Sequence, residues 1–551
     1  YDRSSYRIFG ANYDATRKRV FMIRLRCKIR MLAAAKSVLW SLPPFGALAL
    51  GTAVLPATTS AQQTDHKAAH THALGTVDFV NSGNRAAQPA FQRGVALLHS
   101  FEYEDAAAAF REAQKADASL ALAYWLEALT YSHIVWGEEK LDVSRAVLAR
   151  LAPTPESRLA KATTERERAF GAAVEAFYAD AALPARARAF ADSMTSLAVR
   201  YPNDHEAAVF ASLANMMAWF TTPAAERAKY NQPVQQNALR VFRANSQHPG
   251  AAHYLIHFVD MNPRAASEAL EFARAYDKIA PDAEHALHMP SHVFLPLGLW
   301  DDVVRSNERA WTAARRENIA NKASPAENSW HSLDWLHYAY LQLGRERDAR
   351  ALIDTARTIL QGVSIADDNP DARNVIGWLA FRQGLETGKW DAYPNGIPSV
   401  DAEMKQPRPT ARAQGLATTA AYQAAVAALR AHQDAAPARK VFASFRASAD
   451  SLPAEAPRRN ALTRLATQLE AMVTHHDGNT ERALTLLREV AVNEPNNASL
   501  PPSTIPSYEL LGEYLLAAGR NAEAAEAYQK ALELRANRSL PKRGLELARK
   551  P

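Results

Sequence analysis

The spacing of apolar residues constrains the fold of this chain more than any other feature. From residue 86 onward they recur three and four positions apart in segments of 12–18 residues, separated by Gly, Pro or Asn. This is the period of amphipathic helices, and no sustained alternation of apolar and polar residues predicts strands. Punctuation that repeats every 30–45 residues or so indicates stacked helix pairs. We therefore predict an all-α fold, a superhelical solenoid of antiparallel helix pairs.

One unit shows the repeat most clearly: SYELLGEYLLAAGRNAEAAEAYQKALELRAN, which begins at Ser507. Its small residues Gly512 and Ala524 would let two helices approach closely, and Tyr528 would fill the gap to the next pair. This unit resembles the tetratricopeptide repeat (TPR), and a second match begins near Ala86. Other glycines at predicted turns are 41 to 46 residues apart. Because the ideal TPR length is about 34 residues, we predict degenerate TPR-like repeats with longer helices or loops.

The charge of the chain is unevenly distributed. Residues 1–61 contain ten Lys or Arg against two Asp, a net charge of +8, so the remainder carries −2 of the total of +6. The body therefore lacks the basic surface that nucleic-acid binding requires, and we predict no nucleic-acid partner. A chain of 551 residues with 48% apolar and 22% charged residues is typical of a folded protein larger than one core.

The basic N-terminal segment has the features of a secretory signal peptide. Basic residues at 24–30 precede an apolar stretch at about 32–55, and Thr-Ser-Ala at 59–61 offers a cleavage site. We expect a periplasmic or secreted protein with no stable membrane span after cleavage, because no later stretch is apolar for about 20 residues. The single cysteine, Cys27, lies in this leader, so any metal in the mature protein would be held by His and carboxylate.

These patterns divide the chain into five parts. They are a leader at 1–61, a flexible mature N-terminus at 62–85, N-terminal TPR-like repeats at 86–247, His-rich central repeats at 248–345 and C-terminal TPR-like repeats at 346–551.

Histidines are concentrated in the central repeats, where eight of the chain's 17 lie between residues 248 and 337. In the first block, HPGAAHYLIHFVDMNP, two prolines predict a helix over about 249–262. His253 and His257 are four residues apart and therefore share one face of this helix. His248 is expected to lie at its N-cap, off the helix proper.

The second block, EHALHMPSHVFLPLGLW, contains three histidines at spacings of three and four. A continuous helix would place His285, His288 and His292 on one face. Pro290 favours a helix start instead, which weakens the same-face argument and leaves His285 outside the candidate set.

The third block contains His331, Asp334 and His337 at intervals of three, which form a polar stripe on a helix. Two His-x3-His pairs on successive helices could present imidazoles to one ion, because such a pair chelates without distorting a helix. Asp260 and Glu284 could ligate the ion or orient the rings. We therefore expect any cofactor here to be a divalent transition metal, Cu, Zn or Fe.

Four phrases extend the resemblance beyond single repeats: AYWLEALTYSHIVW, HPGAAHYLIHFVD, ALHMPSHVF and IPSYELLGEYLL. They are similar to those of exported bacterial TPR proteins with His-rich central repeats, a group with no assigned activity. The resemblance implies that Glu127 and His133 share a functional zone with the central histidines. The paired histidines also loosely resemble those of coupled binuclear copper proteins, whose other sequence features are missing, so no residue role is transferred. The candidate metal ligands are His253, His257, His288, His292, His331, His337, His133 and Glu127.

Two classes of function are compatible with this pattern. TPR-like arrays commonly bind a protein or peptide in a concave groove, so the leading hypothesis is an exported scaffold that binds such a partner and carries a His-rich, metal-binding central groove. The alternatives are a metal-dependent hydrolase or oxidoreductase and a metal-handling protein. Histidines that cap helices or bond to carbonyls would give the same spacing without any ion.

Overall fold

A computed structural model describes residues 73–365, 369–393, 411–454, 456–494 and 500–550, all of which belong to one compact unit. The predicted leader and residues 62–72 of the predicted flexible N-terminus lie outside the described residues. Almost every described element is an α-helix, which confirms the predicted all-α class. One element was not predicted, a two-residue antiparallel pair of β1 (Ser132–His133) with β2 (Glu138–Glu139).

The helices before the His-rich region are α1 Gln88–His99, α2 Tyr103–Ala116, α3 Ala121–Leu129, α4 Leu141–Leu151, α5 Pro155–Leu159, α6 Glu165–Phe177, α7 Leu183–Arg200, α8 His205–Thr221 and α9 Ala228–Ala244. The central helices are α10 Pro249–Met261, α11 Leu270–Ile279, α12 Glu284–His288, α13 Ser291–Phe294, α14 Trp300–Asn321 and α15 Trp330–Gln342. The remaining helices are α16 Glu346–Leu360, α17 Pro370–Thr387, α18 Ala411–His432, α19 Ala436–Asp450, α20 Pro457–His476, α21 Thr480–Val492, α22 Ser507–Ala517, α23 Asn521–Leu534 and α24 Ser539–Ala548.

Consecutive helices pack against each other along most of the chain, as a solenoid of helix pairs requires. The pair α22–α23 shows how the sequence produces this packing. A Cβ added at Gly512 would lie 2.8 Å from the ring of Tyr528, and one added at Gly544 in α24 would lie 2.3 Å from it. Tyr528 therefore occupies space that only glycine leaves open on both neighbouring helices, which confirms its predicted role between pairs.

The solenoid also makes contacts that nearest-neighbour stacking does not supply. Near the N-terminus, α1 packs against α10, and His99 at the end of α1 lies beside Tyr254. Near the C-terminus, the buried guanidinium of Arg538 contacts the Tyr338 hydroxyl at 2.8 Å and Glu386 at 2.6 Å. Helices near each end of the described array thus contact helices of its central part.

The His-rich region begins with α10, whose bounds agree with the predicted helix over 249–262. His248 occupies the N-cap, and its Nδ1 accepts a hydrogen bond from the backbone N–H of Ala251 at 3.3 Å. Further along, Met289 and Pro290 separate α12 from α13 but both keep right-handed helical dihedral angles. The chain therefore continues in a nearly helical path through the proline.

No helix among those described combines the length and the apolar character needed to cross a bilayer.

Candidate metal centre

Six imidazoles from four short stretches of helix meet in the interior of the central repeats. α10 contributes two of them, α12 two, α13 one and the first turn of α15 one. They form two groups of three, and within each group one ligand atom per residue lies within 4.8 Å of the others. The first triad is His253, His257 and His285, and the second triad is His288, His292 and His331.

The two triads are close to each other and differ in exposure. The rings of His257 and His292 link them, with centroids 5.9 Å apart. Four of the six side chains are buried, whereas His285 is half-buried and His331 is exposed. Solvent therefore reaches each triad through one of its members.

In the first triad, hydrogen bonds fix which ring nitrogen carries the proton. His253 Nδ1 lies 2.6 Å from the carbonyl oxygen of His99, and His257 Nδ1 lies 2.9 Å from Asp260 Oδ2. A carbonyl and a carboxylate only accept, so each Nδ1 donates and each Nε2 retains a lone pair. His253 Nε2 lies 3.2 Å from His285 Nε2, and the buried His257 Nε2 has no hydrogen-bond partner among the described residues.

The second triad follows the same rule. His292 Nδ1 donates to Asp260 Oδ1 at 2.8 Å, and His288 Nδ1 lies 2.7 Å from Asn307 Oδ1. The amide orientation of Asn307 is set by its Nδ2, which donates to the carbonyl of Val303 at 2.8 Å. His288 and His292 therefore both present an Nε2 lone pair, and these two atoms are 3.1 Å apart.

Two lone pairs at this distance repel each other unless a cation lies between them. Two nitrogens bound to one tetrahedral ion with Zn–N bonds near 2.0–2.1 Å would be about 3.4 Å apart. The observed separations of 3.2 and 3.1 Å are close to that value. Both triads thus have the donor atoms and the spacing of a metal site, and two rings in each have the metal-binding tautomer.

Asp260 connects the two triads by giving one carboxylate oxygen to each. Burial alone would raise the pKa of this carboxyl, but its interactions with His292 and His257, which include a hydrogen bond from each ring, lower the pKa below its usual range. A carboxylate that accepts from the second ring nitrogen is the usual partner of a metal-bound histidine, because it orients the ring and increases its basicity.

Burial favours the neutral form of four of the six imidazoles. It lowers the pKa of His257 and holds the pKa values of His253, His285 and His288 well below the ordinary value. Neutral imidazole is the metal-binding form. Three protein ligands per ion would leave a coordination position open, which distinguishes catalytic sites from closed structural ones.

A third group of potential ligands, which the sequence did not indicate, has a different character. Glu206 accepts from His99 Nε2 at 2.9 Å through one oxygen and from His248 Nε2 at 3.1 Å through the other. The remaining nitrogen of His99 pairs with the Tyr254 hydroxyl, and that of His248 accepts from Ala251. Every ring nitrogen in this group has a protein partner, so the group is a buried structural network that needs no ion.

The predicted quartet His253, His257, His288 and His292 is divided between the two triads. His331 completes the second triad, and His285 completes the first. His285 was not among the predicted ligands, because Pro290 favoured a helix start. The preserved helical path through this proline explains why His285 reaches the centre. A one-turn spacing to His288 was the only signal of it in the sequence.

Three predicted ligands lie outside the triads. His337 is fully buried on α15, where burial and then the charge of Arg382 lower its pKa to about 3. His133 stacks on Tyr103 with ring centroids 4.1 Å apart and belongs to neither triad. Glu127 instead accepts from Gln114 at 2.6 Å and pairs with two arginines.

Comparisons with known proteins identify no family for this chain. No family model matches it, and no curated protein matches it. Among solved structures, it is similar to the TPR domain of P58(IPK), with 12% identity over 84% of this chain and 97% of that chain and a TM-score of 0.20. It is also similar to Naa15/Naa10 bound to HypK-THB, with 11% identity over 84% of this chain and 74% of that chain and a TM-score of 0.24. TM-scores this low do not indicate a shared function.

Proposed function

We propose that this chain is a metal-dependent enzyme whose catalytic centre holds two transition-metal ions, one in each histidine triad. The observation that carries the proposal is the pair of Nε2 lone pairs of His288 and His292, which face each other at 3.1 Å. Their Nδ1 atoms are both committed to acceptors, so two neutral rings leave no N–H between the two Nε2 atoms. A bound cation satisfies both nitrogens at once.

A second observation supports an ion in the first triad. His257 Nε2 is buried and has no hydrogen-bond partner among the described residues. Leaving a buried polar atom unsatisfied in this way commonly costs about 1–3 kcal/mol of folding stability. The histidines of the structural network around Glu206 have no such atom. This contrast supports an ion in the first triad.

The donor set narrows the choice of metal. Imidazole suits Cu, Zn and Fe, and the affinity of nitrogen sites for divalent metals is highest for Cu. An ion with three imidazoles and an open position can activate water as a Lewis acid, and a redox-active ion can also react with dioxygen. The chain's own contribution is to hold the rings in the metal-binding tautomer and to shield most of them from solvent.

The test is elemental analysis of the purified full chain after exposure to Cu, Zn or Fe and removal of loosely bound ions. We expect two ions per chain. The single variants His257→Ala and His292→Ala should each lose at least one ion, and the double variant should lose both. His476→Ala is a matched control, because this histidine is partly exposed on α20 and bonds only to neighbouring surface groups.

The outcome separates the possible functions. Two ions that disappear in the double variant and remain in the control would support the centre and direct assays toward hydrolysis if Zn is retained and toward oxidation if Cu or Fe is retained. Sub-stoichiometric metal that is unchanged in the double variant would refute the proposal.

A further inference from the structure

A cleft of about 340 Å³ lies beside the first triad, and His285 forms part of its wall. It is lined by three aromatic residues and by carboxylates. The lining residues that matter here are Phe101, Tyr103, Trp136, Glu102, Glu284 and Asp371. None of the described residues that line it is Lys or Arg, so the wall combines aromatic faces with acidic groups.

The aromatic wall is continuous from the cleft to the metal ligands. Phe101 and Tyr103 stack with centroids 5.3 Å apart and planes inclined by 15°. Trp136 meets Phe101 edge-on at 5.5 Å and lies 5.6 Å from the ring of His285. The ring centroids of Phe101 and His253 are 4.4 Å apart, so a molecule that binds against this wall would lie next to the first triad.

The position of Phe101 has an energetic cost. Its backbone has φ of +59°, in the left-handed region, immediately after the end of α1. Helices commonly end with a left-handed residue, but glycine or asparagine is favoured there because a Cβ is strained. A phenylalanine in this conformation directs its ring between the cleft and the triad.

The carboxyl groups of the cleft come from separate parts of the chain. Glu102 immediately precedes α2, Glu284 begins α12 and Asp371 lies in the first turn of α17. Their convergence on one cleft gives its wall an acidic character that a bound cation would complement.

We propose that this cleft binds an organic cation, an ammonium or methylated ammonium compound, as the substrate of the adjoining metal centre. Cations are attracted to the faces of aromatic rings, most strongly to that of Trp, and the carboxylates supply the opposite charge. The assignment of this ligand as a substrate rests on the proposed function, whereas its binding does not.

A metal ion fits the same cleft less well. Glu284 Oε1 already accepts from the hydroxyls of Ser329 at 2.6 Å and Ser332 at 2.7 Å, and Glu102 Oε1 accepts from the backbone N–H of His285 at 3.2 Å. Aromatic faces are not metal ligands, yet they form one side of the cleft. The lining therefore favours a cation with apolar surface of its own.

The experiment measures binding of choline to the full chain by calorimetry, both metal-free and metal-loaded, with 3,3-dimethyl-1-butanol as the neutral compound of the same shape. We expect choline to bind at least tenfold more tightly than the alcohol. Trp136→Leu and Glu102→Gln should each weaken choline binding at least tenfold, and Trp136→Phe should retain most of it. Glu489→Gln, an exposed change on α21, is the matched control.

Each result separates this inference from the proposed function. If two ions bind but choline does not, or if the alcohol binds equally well, the cation site is refuted and the metal centre stands. If no ion binds while choline binding depends on Trp136, the cation site stands and its role as a substrate site falls with the proposed function. If Glu102→Gln slows metal uptake and choline does not bind, the cleft is an entry route for metal and the inference is refuted.

Discussion

His288 and His292 face each other through their Nε2 atoms at 3.1 Å, although each Nδ1 is already engaged as a donor. The pair is one helical turn apart in sequence, on α12 and α13. Helical spacing brings the two rings together, and the acceptors Asn307 and Asp260 decide which nitrogen each ring presents. The contact is unfavourable in the free protein and becomes favourable once a cation is bound.

Metal binding should therefore stabilise the fold. A ligand that binds only the folded state adds about 2.7 kcal/mol to the free energy of unfolding at a free concentration of 100 times its dissociation constant. We expect the melting temperature of the chelator-treated chain to rise on metal addition. The same addition should leave the melting temperature of the His257→Ala/His292→Ala variant unchanged, and an equal rise in both proteins would show that the metal acts elsewhere.

Asp260→Asn should weaken at least one of the two metal sites although it removes no ligand. An amide offers one acceptor oxygen where the carboxylate offers two, so only one of His257 and His292 can keep its acceptor. Loss of such a partner typically reduces metal affinity about 10–100-fold. Chelator competition on each bound ion measures the effect, with the exposed Asp354→Asn as control. Unchanged affinity at both sites would contradict the shared role of Asp260.

Glu206→Gln should have the opposite profile to His257→Ala. Glu206 is fully buried and accepts from His99 and His248, and leaving a buried donor without its acceptor commonly costs about 1–3 kcal/mol. We expect a large decrease in the free energy of unfolding with two ions still bound. His257→Ala should lose metal while the metal-free protein keeps most of its stability. Denaturant titration with parallel elemental analysis distinguishes the two variants.

His337 should make the stability of the chain depend on pH. Its pKa is lowered to about 3 in the folded protein, whereas an unfolded histidine titrates near 6.5. As the pH falls below about 6.5, the unfolded chain binds a proton that the folded chain does not, so this residue reduces the free energy of unfolding. From pH 6.5 to pH 5 the loss should be about 1.6 kcal/mol. Denaturant titrations of the wild type and His337→Gln at both pH values should show this difference, and parallel pH profiles would contradict it.

Arg538→Met should destabilise the packing of the C-terminal repeats against the central repeats. The guanidinium is fully buried between Glu386 and Glu509 and contacts the Tyr338 hydroxyl. Without it, two carboxylates remain buried close together, which we expect to cost about 3–5 kcal/mol. Thermal unfolding measures the loss, and the exposed Arg482→Met serves as control. A variant as stable as the control would show that this ion cluster does not hold the contact.

The sequence predicted the features that depend on short-range spacing. The bounds of α10, the N-cap at His248 and the packing of Tyr528 on Gly512 follow from helical periodicity and residue size within one repeat. The pairing of His253 with His257 and of His288 with His292 follows from the same rule. The proximity of Asp260 to His257 was also expected, because these residues are one turn apart.

What could not be predicted depends on residues far apart in the chain. His253 is oriented by the carbonyl of His99, 154 residues earlier, and Asp260 reaches His292, 32 residues later. The division of the histidines into two triads depends on these contacts, and helical spacing within one segment does not contain them. Inclusion of His285 required the dihedral angles at Pro290, which residue preferences alone assign to a break.

The hydrogen bond from His253 to the carbonyl of His99 also limits how this repeat array can vary. In an ordinary solenoid a repeat contacts only its neighbours, so repeats can be deleted or duplicated without altering distant ones. Here the helices between α1 and α10 act as a spacer of fixed length, because their number determines which residue lies opposite His253. Inserting or removing one helix pair would leave all six imidazoles in the sequence and change the partner that sets their chemistry. A helix pair therefore cannot be inserted or removed between α1 and the histidines without changing the site, although the array is built from repeats.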